Sequence, residues 1–204
     1  MKRARVLVAA LVVLAIGLTL GACRGKSNPA ESASPTTATP SATGTITSPT
    51  PTPTSSQRTI RVYYVKSGAT DFYLVAEDHK VSAGGDKLLA AAEEAVHGKP
   101  LDAGAQSVYP AATRILSVRL DKGVATVDFS REVLAANVGA DGESLGIAAL
   151  VNTLTEFSEV TAVRFTVEGR NKGSIDGRAI EDWWGHVGLF DQPFHRDLSR
   201  VRKA

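Results

Sequence analysis

Leu116-Ser117-Val118-Arg119-Leu120-Asp121-Lys122-Gly123-Val124-Ala125-Thr126-Val127-Asp128-Phe129 is the stretch from which the fold can be read. Leu116, Val118 and Leu120 recur at every second position, the period of a strand with one buried face. Ala125, Val127 and Phe129 resume that period after Asp121-Lys122-Gly123, where Gly123 can take the positive φ of a tight turn. The segment is expected to be a β-hairpin. Upstream, Leu88, Leu89, Ala92, Ala95 and Val96 follow helical spacing behind Asp86, a good capping residue, and Gly98 and Pro100 stop the helix. Before that, Ile60, Val62 and Tyr64 alternate, and beyond a Ser67-Gly68 turn so do Phe72, Leu74 and Ala76, which reads as a strand pair. Downstream, a second helix is expected from about Glu143 to Phe157 with Ile147, Leu150, Val151 and Leu154 buried. Val163, Phe165 and Val167 then form a last strand. The order β-β-α-β-β-α-β implies an α+β domain, a mostly antiparallel sheet of about five strands with helices on one face.

The first 57 residues read differently. Lys2, Arg3 and Arg5 precede an unbroken apolar run from Val6 to Leu20. That run is shorter than the roughly 20 residues of a spanning helix and fits a secretory signal. It ends in Leu20-Gly21-Ala22-Cys23, which resembles the lipobox of bacterial lipoproteins. The resemblance implies cleavage before Cys23, a palmitate-bearing thioether on its sulfur, and attachment to a membrane with the rest of the chain outside the cytoplasm. Cys23 is the only cysteine, so no intramolecular disulfide can form. Between Ser27 and Ser56, 22 of 30 residues are Ser, Thr or Pro, and Ile46 is the only large apolar one. Such a segment cannot bury enough surface to offset its ordering entropy, so a tether is expected. It would reach about 30 Å as a coil and about 100 Å as polyproline helix.

The expected organisation is therefore a signal over 1–22, the lipidated cysteine and tether over 23–57, a domain over 58–170, and an extension over 171–204 that packs on the domain and ends in a solvated basic tail with Arg196, Arg200, Arg202 and Lys203. The whole chain carries a net charge of +2, but its three basic residues before Val6 leave with the signal, and the stretch 58–204 is at −2. No basic patch of nucleic-acid size is present.

Several segments resemble the GerMN domain, named for a spore-germination and sporulation protein. They are Val62-Tyr63-Tyr64-Val65-Lys66, Phe72-Tyr73-Leu74-Val75, Val108-Tyr109-Pro110 leading to Ile115-Leu116-Ser117-Val118, Gly123-Val124-Ala125-Thr126-Val127-Asp128-Phe129-Ser130, and Leu150-Val151-Asn152-Thr153-Leu154-Thr155-Glu156-Phe157. The similarity runs over about residues 60–170. It implies a compact fold related to ring-building motifs that pack side by side in envelope assemblies. It also implies no enzymatic activity; no cofactor is expected, and the expected partner is an envelope protein or a second copy.

Other constellations compete with that reading. Gly142-Glu143-Ser144-Leu145-Gly146 fits the G-x-S-x-G pattern of serine hydrolases, and Asp176 and His186 follow in the order those enzymes use. That mechanism needs a strand before the serine, whereas Asn137-Val138-Gly139-Ala140-Asp141 reads as a loop. Glu181, Asp182 and His186 include metal-ligand types, but only Asp182 and His186 share a helix face, and two ligands do not make a site. His79, His97 and His195 are scattered and read as surface residues. Ile180, Trp183, Trp184 and Val187 recur at helical spacing, either as a short helix closing the core or as a partner-binding ridge. Tyr63, Tyr64, Tyr73 and Tyr109 read as packing residues on strands, with a sugar-binding face as the alternative.

Overall fold

The computed structural model describes residues 56–181, 183–184 and 186–203. Cys23, the apolar run, the tether up to residue 55 and Asp182 lie outside the described residues.

Strands β1 (Gln57–Ser67) and β2 (Phe72–Ser82) pair antiparallel along their whole length. In β1 the four residues Val62 to Val65 are all buried, so this part of the strand is covered on both faces. Helix α1 (Lys87–His97) follows, and Asp86 caps it by accepting from the N–H groups of Leu88 at 2.8 Å and Leu89 at 3.2 Å. These groups have no partner within the helix. Asp86→Ala should lower stability by about 1 kcal/mol, seen as a few degrees in a thermal melt.

A short strand β3 (Ala105–Gln106) pairs with β1 at Val65 and Lys66. The hairpin is formed by β4 (Ile115–Asp121) and β5 (Val124–Phe129), with Lys122 and Gly123 both at positive φ in its turn. A bulge between Ile115 and Ser117 shifts the register. It returns Ile115 to the core with Val118 and leaves Leu116 47% exposed; Leu120, near the turn, is 41% exposed. The core face of β4 is thus Ile115 and Val118, where alternation alone suggested Leu116, Val118 and Leu120.

A 3-10 turn over Arg131–Ala135 leads to α2 (Gly139–Leu154). The helix starts four residues before the expected Glu143, with Gly139 at φ +72° opening it. It runs beside β1, and Thr153 joins the two. Its hydroxyl donates to the Ala149 carbonyl at 2.8 Å and accepts from the Tyr63 N–H at 3.1 Å. A helix side chain thereby satisfies a strand donor that has no strand neighbour there.

Strand β6 (Ala162–Val167) adds to β5 in parallel. The chain ends in a small hairpin of β7 (Ser174–Ile175) and β8 (Arg178–Ala179), a 3-10 turn at Leu189–Asp191, and β9 (Val201–Arg202) parallel to β2. The α+β class and the order β-β-α-β-β-α-β hold, with the strands divided between sheets ordered β3-β1-β2-β9 and β4-β5-β6. The main core joins Val62, Tyr64 and Val75 to α1, α2 and the inner faces of β5 and β6. A smaller one packs Tyr63, Val65 and Leu74 on Leu145 and Ala149 of α2.

The C-terminal segment corrects two expectations. The stripe Ile180, Trp183, Trp184, Val187 is not a helix but a series of turns, and Trp184 sits at φ +54°, which an α-helix cannot accommodate. The basic end is docked rather than solvated. Arg196 pairs with Glu156, Arg200 with Asp141 at 2.9 Å, and Arg202 with Asp71, while β9 joins the sheet. No helix among the described residues is long and apolar enough to cross a membrane.

Candidate functional site

The three residues of the hydrolase pattern are not assembled. Ser144 is exposed on α2 and takes part in no side-chain hydrogen bond among the described residues. Asp176 bonds Arg131 at 3.0 Å, and His186 places Nδ1 2.9 Å from Glu143. The glycines of the pattern have packing roles. A Cβ on Gly142 would stand 2.9 Å from the Val138 side chain, and one on Gly146 would stand 2.6 Å from the Trp184 ring. Of the residues considered for metal, Glu181 accepts from the Gly173 N–H at 3.0 Å, and His186 is engaged as above. Among the described residues no group of three His, Cys, Asp or Glu side chains could hold an ion.

The tyrosines are packed. Tyr63, Tyr64 and Tyr109 are 8% exposed or less, and Tyr73 is half-buried against the main core. The Tyr63 hydroxyl donates to Glu156 at 2.7 Å and lies 2.9 Å from an Arg196 nitrogen. Burial, reinforced by that carboxylate, pushes the phenol up to about 12. Burial also works against ionisation of Glu156, but its bonds from Arg196 and Tyr63 outweigh it and hold the carboxyl below its ordinary value.

His79, taken from the sequence as a surface residue, is 7% exposed. Its Nδ1 is 2.7 Å from Glu94 and its Nε2 2.9 Å from Glu77. An ionised carboxylate only accepts, so a ring nitrogen that carries a proton donates to the carboxylate it faces. Glu77 also accepts from the N–H groups of Leu101 at 2.7 Å and Asp102 at 2.8 Å. Its burial opposes the charged form, and these bonds more than offset it, leaving the carboxyl below its ordinary value. The Glu77–His79–Glu94 cluster ties β2, α1 and the loop after α1 together. The carboxylates approach opposite nitrogens of one ring and do not converge on a common point. Glu77 and His79, at i and i+2 on one strand face, were the available signal.

Trp183 and Trp184 are 4% and 2% exposed and belong to the core. Trp183 meets Phe129 edge-on at 5.4 Å, and Trp184 lies 5.0 Å from Tyr109. Neither forms an exposed ridge. Both line a cleft of about 360 Å³. One wall is Leu134 and Ala136 with Glu143 of α2, and the other is Gly177, Arg178 and Ala179 around β8. The walls are joined where Arg178 donates to the Leu134 carbonyl at 2.9 Å. The indole N–H groups of both tryptophans are buried and have no hydrogen-bond partner among the described residues. Glu143, 8% exposed, accepts through Oε2 from the backbone N–H and the Nδ1 of His186. Sequence reading noticed the tryptophans and overlooked Glu143 and Arg178, which only the tertiary fold brings beside them.

A family model described as sporulation and spore germination, Germane, matches residues 61–173, more than half the chain. The chain belongs to the Germane family. The Germane domain thus ends just before β7, and the cleft lies between it and the C-terminal segment. Among solved structures, the tandem GerMN domains of the sporulation protein GerM from Bacillus subtilis match with a TM-score of 0.52 at 19% identity, over 77% of this chain and 50% of that one. This likeness speaks for the fold, and the present chain spans about half the length of the tandem structure. The first GerMN domain of the same protein matches with a TM-score of 0.46 at 27% identity, over 62% of this chain and 95% of that one. A candidate lipoprotein from Clostridium perfringens gives 0.36 at 14% identity, over 56% and 76%. No curated protein matches this sequence.

Proposed function

We propose that this chain is a lipid-anchored envelope protein whose Germane domain serves, without catalysis, as a binding and assembly module outside the cytoplasmic membrane. The observation that carries the reading is Leu20-Gly21-Ala22-Cys23 at the end of a short apolar run, ahead of a Ser/Thr/Pro-rich stretch and a domain of this family. The absence of catalysis is supported by the separate engagements of Asp176 with Arg131 and of His186 with Glu143. The partner is an envelope protein or a second copy, and anchoring rests on acyl chains at Cys23. Buried acyl chain contributes about 0.8 kcal/mol per methylene, so one chain binds marginally and two or three hold firmly.

The test is Cys23→Ser, which keeps the size and removes the thiol. The wild-type chain should take up labelled palmitate and begin at a modified Cys23. The variant should take up none and keep its signal uncut. Membrane retention is a poor readout, because the uncut apolar run can itself hold the variant. The mass of the N-terminal peptide decides, and a wild-type chain starting at Met1 with unmodified Cys23 would sink the reading.

A further inference from the structure

The cleft between the Germane domain and the C-terminal segment combines features that neither part has alone. Trp183 and Trp184 line it, and their indole N–H groups, buried beneath its surface, have no partner among the described residues. A buried donor left unpaired costs roughly 1–3 kcal/mol, so two at one place call for an acceptor. Glu143 supplies the opposite character. Its Oε2 is taken by His186, and its Oε1 has no hydrogen bond to a described residue. At about 360 Å³ the cleft is large enough for one small polar ring.

We propose that this cleft binds an acetamido sugar. The acetamido carbonyl accepts from the indole N–H groups, and the amide N–H donates to Glu143 Oε1. Sugar hydroxyls, which both donate and accept, meet the guanidinium of Arg178 in place of its bond to the Leu134 carbonyl. That bond joins the two walls, and exchanging it for ligand contacts lets the walls part toward the N–H groups, which lie beneath the surface. A peptide carries the same amide, but the adjoining strand β8 has two residues, too few for strand addition. The proposal rests on the extracytoplasmic placement above only for the source of the sugar, since the binding itself is tested in solution.

The chain contains two tryptophans, both lining the cleft, so an amide-proton NMR spectrum carries two indole signals, each from a residue of the site. The full-length protein in detergent should be titrated with an N-acetylglucosamine tetramer. Both indole signals should move and saturate. Glu143→Ala should weaken binding at least ten-fold. Because Glu143 also braces His186, Ala179→Arg serves as a second variant that fills the cleft from the other wall, and it should abolish the response while the circular dichroism spectrum stays unchanged. Unmoved indole signals at millimolar sugar, or a response that survives Ala179→Arg, would overturn the proposal. Equal binding of a glucose tetramer, which lacks the acetamido group, would overturn the ligand class, as would binding of N-acetylalanine methylamide in its place. None of these outcomes bears on the N-terminal peptide mass, so failure here is distinct from failure of the anchoring reading.

Discussion

His79→Leu is expected to destabilise the domain by about 3 kcal/mol at neutral pH, the low end for two carboxylates left without their shared donor, since an unpaired charged acceptor costs more than the roughly 1–3 kcal/mol of a neutral one. Leucine leaves Glu77 and Glu94 beside an apolar side chain with no donor between them. The cost stays at the low end because Glu77 keeps the N–H groups of Leu101 and Asp102. Urea denaturation at several pH values separates this effect from a packing defect. In the wild type the carboxyl of Glu77 is held below its ordinary value of 4.5. Its contribution to stability is therefore fully present above that value and is lost as pH falls through the lower, folded-state one. In the variant Glu77 has lost its bond to His79, so taking up a proton relieves it. The gap between the two proteins should narrow toward pH 4. A gap that stays constant with pH would show that only the shape of the imidazole matters.

Phe129→Ala should cost about 3–5 kcal/mol, the range for removing a large ring from a rigid core. Phe129 is fully buried, with Tyr109 stacked at 5.6 Å, Phe165 at 5.9 Å and Trp183 at 5.4 Å. All three rings lose a neighbour, and they belong to different elements that cannot close the space together. For a domain with the usual 5–15 kcal/mol, this is a large part of its stability. Chemical denaturation followed by tryptophan fluorescence will measure it, since Trp183 reports on the vacated space. A loss below about 1 kcal/mol would mean that the cluster repacks freely and is not rigid.

What the sequence revealed depended on how local each feature was. The hairpin from Ile115 to Phe129 was legible because period and turn lie within fifteen residues. Its bulge was not, since an extra residue in one strand is visible only against its partner. The run Val62-Tyr63-Tyr64-Val65 showed more apolar character than alternation requires, and the structure gives the reason: α2 and the main core cover both faces. Trp183 and Trp184 satisfied helical spacing, but spacing carries no information about φ, and Trp184 is left-handed. Of the candidate site, the tryptophans stood out by residue type. Glu143 was passed over as a neighbour of Ser144, and Arg178 had no pattern at all. Their roles arise from positions more than thirty residues apart, joined by the fold.

The family boundary near residue 173 is not a boundary of stability. Beyond it Trp183 fills the space against Phe129 and Phe165, Trp184 packs on Tyr109, Phe194 bonds both ways with Val163, and Asn152 exchanges two bonds with Asp197. To a protease, residues 174–203 are therefore not a loose end. Reaching their backbone requires opening the aromatic centre of the domain, so cleavage there is governed by cooperative unfolding of the whole rather than by fraying of a terminus.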